Sequence, residues 1–152
     1  MSEKSSEFIV IGAGIVGLSI ALGLLQKGHQ VIVLNGDDSD LSASKGNFGL
    51  IWLQGKGSDF APYAKWTHKA VTKWPNFSQY LEDLSGIELS LDQSGGYDFF
   101  TDDSELEAFQ ADLKQQQTHL GKQSSYEILS GDDLRHSFSG IGESVVGATY
   151  CA

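Results

Sequence analysis

FIVIGAGIVGLSIALGLLQKGHQVIVL, residues 8–34, decides the fold. Its first four residues, Phe8 to Ile11, form an unbroken apolar run, the pattern of a strand in a parallel sheet covered on both faces. Glycines interrupt the run, and from Ile15 to Lys27 the apolar residues Val16, Ile20 and Leu24, with Ala21 and Leu25, recur at helical spacing. Gly28 follows Lys27, a cation-then-glycine ending that suits a helix C-terminus. Val31 to Leu34 reads as a second, β-branched strand. Strand, helix and strand in so short a stretch make a βαβ crossover, right-handed in nearly all known cases.

Between the first strand and the helix stands GAGIVG: Gly12, Ala13, Gly14, Ile15, Val16 and Gly17, a complete GxGxxG. The first glycine makes the tight turn, the second lets a pyrophosphate approach the backbone, and the third lets helix and strand pack closely. The helix begins with unpaired N–H groups and the positive end of its dipole, where a pyrophosphate is stabilised. The context of strand, turn, helix and strand therefore predicts dinucleotide binding. In this pattern an acid at the end of the second strand bonds the adenosine ribose. Here that position is Asn35, followed by Gly36; its amide oxygen can accept a ribose hydrogen bond without the strength a charge adds, and Asp37 and Asp38 are close enough to substitute. No basic pocket for a 2′-phosphate is evident, which favours NAD or FAD over NADP.

The same apolar stretch could be taken for a membrane span or signal peptide. Four glycines, Gly12, Gly14, Gly17 and Gly23, and the preceding MSEKSSE, which lacks a basic n-region, argue for a buried strand and helix instead. The chain has 152 residues with 20 acidic and 10 basic side chains, a net charge of −10. No Lys/Arg cluster exists to neutralise phosphates, so nucleic acid and anionic membranes are poor partners. One cysteine, Cys151, cannot form an internal disulfide, and no Cys/His cluster suggests a metal; a reducing, cytoplasmic setting follows.

Beyond residue 34, Asn35 to Ser58 is rich in Gly, Ser, Asp and Asn around an apolar insert, NFGLIWLQ, and reads as a functional loop with short regular pieces. Residues 59–84 read as helical, with Pro75 kinking or splitting the run. IELSL at 87–91 and YDFFT at 97–101, joined through Ser94, Gly95 and Gly96, read as an antiparallel pair. A helix from Ser104 to Leu120 follows, opened by Asp102, Asp103 and Glu105 and closed by Gly121. YEILS, a short helix at 131–137 and the strand VVGATY complete the chain. The fold class is α/β: a Rossmann-type βαβ unit followed by the beginning of an α+β domain. Residues 1–7 are expected to be a disordered tail. With only two parallel strands and an end directly after a strand, residues 1–152 are expected to be the N-terminal part of a longer chain.

The first motif, followed by ASKGNFGLIWLQGKG at 43–57, resembles the N-terminal part of the D-amino-acid-oxidase family of FAD-dependent oxidoreductases, in particular its glycine and sarcosine oxidase-like members and the beta subunits of opine oxidases. The resemblance spans roughly the first third of the chain; beyond it only the order of elements matches. It implies FAD as cofactor, with residues 8–84 the N-terminal part of an FAD-binding domain and 85–152 the start of a substrate domain. It implies that Ala43 and Ser44 belong to a loop over the FAD pyrophosphate, the Ser hydroxyl donating, and that Asn47, Phe48, Gly49 and Leu50 place backbone groups near the flavin ring. It further implies oxidation of the C–N bond of an amino acid, opine or secondary amine by hydride transfer to the flavin, and a hetero-oligomer with other oxidase subunits. Asn35 departs from the family, which has Glu or Asp there. Residues that hold a substrate carboxylate in the family lie in a C-terminal half that this sequence does not contain, so no catalytic residue is named. The alternatives are an NAD-binding Rossmann protein, which has no need of the ASKGNFG loop, and a non-catalytic nucleotide-binding subunit or remnant.

Other chemistry-bearing side chains have plainer readings. His29 reads as a turn residue between helix and strand, and His68, His119 and His136 have no partner at a meaningful spacing. Trp52, just after the loop, could face flavin or substrate, though a core role is the simpler reading; Tyr63, Trp66 and Trp74 at helical spacing read as packing residues. A covalent flavin link through Cys151 is the less favoured reading of that residue.

Overall fold

A computed structural model describes residues 5–36, 42–121 and 124–152. They form two compact units, one up to Leu50 and one from Ile51 onward.

The first unit is the βαβ crossover. Strand β1 (Phe8–Ile11) pairs in parallel with β2 (Val31–Leu34), Phe8 opposite Val31 and Ile11 opposite Leu34, and helix α1 (Ile15–Gln26) connects them. Helix α1 stops as its sequence predicts: Lys27 and Gly28 donate back to the carbonyls of Leu24 and Leu25, and Gly28 takes φ +83°, which a Cβ would disfavour. A short helix α2 (Ala43–Gly46) follows, its first turn capped by the Ser42 hydroxyl, which accepts from the Lys45 N–H. Of the expected tail, residues 1–4 lie outside the described residues. Glu7 is tied down: its N–H donates to the Gln30 carbonyl at 3.1 Å, and its carboxylate meets His29 Nδ1 at 3.0 Å. His29 also stacks edge-on against Phe8, so the turn histidine fastens the start of β1 to the start of β2. Ile9, Ile11, Ile15, Val16 and Leu18 remain exposed, Ile11 by 86%.

In the second unit, the helical run expected over 59–84 is split into helices α3 (Ala61–Val71) and α4 (Trp74–Ser85). Pro75 lies in the first turn of α4, where its missing N–H costs nothing, and so splits the run rather than kinking it. Tyr63 and Trp66 are not packing residues: both are exposed, Trp66 by 70%, with ring centroids 6.3 Å apart, while Trp74 packs edge-on against Phe77. Fully buried Ala64 marks the inner face of α3 instead.

The three-stranded antiparallel sheet has the order β3 (Gly96–Phe100), β5 (Gly147–Cys151), β4 (Glu127–Ser130). The expected hairpin between 87–91 and 97–101 does not form. The N–H groups of Ile87 and Leu89 donate to the side chains of Ser85 and Glu82, and Ser90 takes φ +51°, which breaks the extended backbone a strand needs. Strand β3 pairs with β5 instead, Gly96 opposite Cys151 and Phe100 opposite Gly147.

Helix α5 (Asp103–Leu120) opens on Asp102, whose carboxylate accepts from the N–H groups of Ser104 and Glu105, and closes at Gly121 with φ +61°. Helix α6 (Gly131–Ser137) opens with a capping box between Ser130 and Asp133. Neighbours Ala148 and Thr149 on β5 point to opposite faces of the sheet and both are fully buried, so both faces are covered at the central strand. Leu113, Leu120 and Leu134 complete this core, each contributing about 1.5–3 kcal/mol by leaving water.

Candidate functional site

The glycine turn is built as its sequence demands. Gly12 takes φ +99°, and its N–H donates to the Leu34 carbonyl at 2.7 Å, joining the ends of the two parallel strands. Gly17 faces that turn from the first turn of α1. A Cβ placed there would lie 2.0 Å from the Gly12 carbonyl oxygen and 3.4 Å from Val10 Cγ1, so only glycine allows the approach. Gly14 is the N-cap, and a Cβ on it would lie 3.1 Å from Ser44 Oγ.

Two side chains from outside the motif reach the helix N-terminus. Asn35 Oδ1 accepts from the Ala13 N–H at 3.0 Å, and Ser44 Oγ accepts from the Ile15 N–H at 2.9 Å. Where the sequence predicts unpaired N–H groups, those of Ala13 and Ile15 have side-chain acceptors, and the Asn35 amide oxygen accepts one hydrogen bond within the protein. Asn35 keeps for a ligand the second lone pair of Oδ1, an acceptor, and its Nδ2 amino group, a donor. The Ser44 hydroxyl, having accepted from Ile15, keeps its own proton to donate outward, the polarity the resemblance implies. Asp37 and Asp38, the suggested substitutes for Asn35, lie outside the described residues.

The structure thus brings Gly12, Ala13, Gly14, Ile15, Gly17, Asn35 and Ser44 together. Val16 is exposed on α1 and Gly36 on the segment after β2, neither in a side-chain bond. Ala43 opens α2. Asn47 to Leu50 form a local turn in which Asn47 Oδ1 accepts from the Gly49 N–H at 2.8 Å and Gly49 takes φ +78°. Phe48 and Leu50 are exposed there.

The arrangement suits a diphosphate with adjoining hydroxyls. A Ser hydroxyl, an amide NH2 and the positive end of α1 all present positive ends, and the missing Cβ of Gly14 leaves room for the Ser44 hydroxyl beside the helix N-terminus. The residues present therefore fit the pyrophosphate and ribose of FAD.

The remaining candidates have structural partners. His119 Nε2 lies 3.0 Å from the Ser58 carbonyl, and His136 Nδ1 lies 2.7 Å from the Asp132 carbonyl one turn back. The Cys151 thiol donates to the Ser125 carbonyl at 3.4 Å; burial, and then the charge of Asp98, push it up and keep it protonated. Trp52 lies against Gly96, where a Cβ would come within 2.1 Å of the indole ring. Among the described residues no group of His, Cys, Asp or Glu could hold a metal, and no helix is long and apolar enough to cross a membrane.

Sequence reasoning missed the buried polar side chains Gln54, Gln116 and Thr149 in the second unit, and the half-buried Asp98. Gln116 was detectable, because it shares the inner face of α5 with Leu113 and Leu120 at helical spacing. Asp98 carries a buried Oδ2 with no partner among the described residues. Burial pushes its carboxyl up, offset in part by the nearby Trp52 indole N–H and the charge of Lys56.

Comparison with known proteins agrees with this geometry. An opine oxidase subunit of Rhizobium meliloti is 39% identical over 147 residues, covering 96% of this chain and 40% of its own length. The glycine oxidase of Bacillus licheniformis is 25% identical over 151 residues, covering 97% of this chain and 38% of its own. The crystal structure of glycine oxidase from Bacillus cereus superposes with a TM-score of 0.81 at 23% identity, over 96% of this chain and 38% of that one, and so has the same fold over this region. The chain spans about 40% of the length of the curated relatives it matches. The family model described as DAO, FAD dependent oxidoreductase, matches residues 7–152. The chain belongs to the DAO family of FAD-dependent oxidoreductases, whose cofactor is FAD.

Proposed function

We propose that this chain supplies the cofactor-holding N-terminal part of an enzyme that oxidises the C–N bond of an amino acid, opine or secondary amine. The observation that carries the reading is the glycine turn at the α1 N-terminus, to which Asn35 and Ser44 are hydrogen-bonded through the Ala13 and Ile15 N–H groups. Bound flavin would accept a hydride from the carbon next to the substrate nitrogen. The residues described here would do the holding. Gly12, Ala13, Gly14, Ile15, Val16 and Gly17 form the turn over which the pyrophosphate lies, and Ala43 and Ser44 close over it with the Ser44 hydroxyl donating. Asn35, with Gly36, meets the adenosine ribose through its side-chain amide. Asn47, Phe48, Gly49 and Leu50 present backbone groups to the flavin ring; the turn fixed by Asn47 supports this by holding the Gly49 backbone in one conformation.

We further propose residues 8–84 as the N-terminal part of the FAD-binding domain and 85–152 as the start of the substrate domain, in which 51–84 fold together with 85–152 because α3 packs on α5. Assembly with other subunits is proposed because the opine oxidase relative is named as one subunit of its enzyme, and a cytoplasmic location from the lone cysteine. The NAD-binding alternative is not favoured, since the family that matches is flavin-dependent.

The test is the visible absorption spectrum of the purified full-length protein. Flavin bands that survive gel filtration and bleach anaerobically with an amino acid, opine or secondary amine are expected. A protein that takes up no added FAD would refute the cofactor assignment; one that binds FAD but is reduced by none of these would refute the substrate class.

A further inference from the structure

The exposed aromatic pair on α3 stands in a basic stretch of an acidic chain. Three of the ten basic residues, Lys65, Lys69 and Lys73, fall within residues 60–81, which contain no Asp or Glu, although the chain has 20 acids. Dispersed in the sequence, they come into one line along the helix because they are four residues apart. Lys73 stands one residue past the C-cap Thr72 and still has helical backbone, φ −89° and ψ −15°, so it completes the line. Trp66, Ala70 and Tyr63 run beside it at spacings of three and four, and all six side chains are exposed. Fully buried Ala64 lies on the opposite side of the helix. Among the described residues none of the three lysines forms an ion pair.

Trp66 keeps a large apolar surface in water beside Tyr63, its ring centroid 6.3 Å away. Aromatic anchors bordered by charge have the composition of a protein interface, in which Trp and Tyr carry much of the binding energy at the centre while charged groups stay wet at the rim. Cover by an apolar core of the chain itself would take three ammonium groups out of water without counter-charges, which folding avoids. A second copy set on this face by a two-fold axis would oppose lysine to lysine. An acidic surface on a different subunit meets both demands, seating the rings and pairing the lysines.

We infer that the outer face of α3 is the docking surface for a different subunit of the enzyme, one that presents carboxylates to Lys65, Lys69 and Lys73 around an apolar seat for Trp66. The inference rests on the assembly with other subunits proposed above.

The experiment uses the full-length protein, tagged and purified from the organism it comes from. Carbodiimide joins Lys65, Lys69 and Lys73 to any carboxylate they touch, and mass spectrometry maps the joined peptides. The second polypeptide of the wild-type assembly, purified, is then titrated against wild type, K65E/K69E, W66S and K114E, the last reversing an exposed lysine on α5. Couplings to carboxylates of that second polypeptide are expected. Binding should weaken about tenfold in K65E/K69E and about thirtyfold in W66S and stay unchanged in K114E, all with wild-type thermal midpoints. Couplings only to carboxylates of the same polypeptide would show that the chain covers this face itself, and couplings between isotope-labelled and unlabelled copies would show a second copy there; each overturns the inference. So would a protein without such couplings that binds phosphatidylglycerol vesicles and loses them in K65E/K69E, since the face would then meet a membrane. An assembly that K65E/K69E and W66S leave at wild-type affinity would overturn the inference but keep the assembly reading. A full-length protein that holds no second polypeptide would overturn both.

Discussion

Gly17→Ala tests whether the glycine turn is held by close approach rather than by glycine's flexibility alone. The added methyl carbon would lie 2.0 Å from the Gly12 carbonyl oxygen, about 1 Å inside the closest approach real Cβ atoms make. The obstacle is backbone, and backbone that cannot relax freely, because Gly12 sits at φ +99° and its N–H holds the end of β2. Overpacking against a rigid partner costs about 1–3 kcal/mol, and the immobility of this one places G17A at the upper end, about 3 kcal/mol. Gly23→Ala, in the same helix, is the internal control. No atom lies within 4 Å of its Cβ position, so the substitution should stabilise by about 0.5–1 kcal/mol through helix propensity and a less flexible unfolded chain. Urea unfolding of the two variants without FAD should therefore separate them by about 4 kcal/mol, in opposite directions from wild type. Adding FAD should widen the gap, since displacing Gly12 also displaces the turn proposed to hold the pyrophosphate. Equal stability of G17A and G23A would refute the packing argument.

Asn35→Asp keeps an oxygen for the Ala13 N–H and replaces the Nδ2 donor with a charged acceptor for the ribose hydroxyls; the stronger charge-assisted bond should tighten FAD binding about fivefold, measured by fluorescence titration, and unchanged or weaker binding would contradict the proposed ribose contact. The hydrogen bond from His29, then that from the Gln30 N–H, hold the Glu7 carboxyl below its ordinary value, so its stabilisation is present above the ordinary carboxylate range and is lost as pH falls through the lowered value. Glu7→Gln should then be less stable than wild type at neutral pH, the difference closing in acid; a constant difference in unfolding experiments across pH would count against the Glu7–His29 pair. Asp98 has the opposite sign: burial raises its folded value, so it destabilises above that value and the penalty vanishes as pH falls below the ordinary one. Asp98→Asn should raise the thermal midpoint at pH 7, with the advantage gone by about pH 4, and a variant less stable at pH 7 would mean that the charge has a partner outside these residues.

The βαβ unit was legible because its signals are local and agree. An apolar strand, three glycines at fixed offsets, a cation followed by Gly28 and a β-branched strand each restrict the backbone within a few residues. The cap of α5 at Asp102 and the split at Pro75 were legible for the same reason. The partner of β3 was not. Ile87 to Leu91 has strand-like composition, but Glu82 and Ser85, side chains from the end of α4, take its N–H groups, and β5 arrives from nearly fifty residues further on. The exposure of Tyr63 and Trp66 was illegible for a related reason: helical spacing shows that they share a face with Ala70, whereas the buried position of α3 is Ala64.

The candidate site shows partners within the protein that a motif alone does not reveal. GAGIVG predicts bare N–H groups aimed at an anion, and an amide at position 35 predicts an acceptor aimed at a ribose. In the fold these two features meet each other: the Ala13 N–H finds the Asn35 oxygen, and the Ile15 N–H finds the Ser44 hydroxyl. The donors are not lost. Each capped N–H reappears one bond further out, as Asn35 Nδ2–H or Ser44 O–H, on a side chain that can follow the ligand's shape where a main-chain N–H cannot. An acid at position 35 would pass nothing on: one oxygen would cap Ala13 and the other would face the ligand as a negative charge. The departure from the family at Asn35 therefore takes a charge away from the proposed ribose contact and adds an Nδ2 donor, while leaving the Ala13 N–H capped either way.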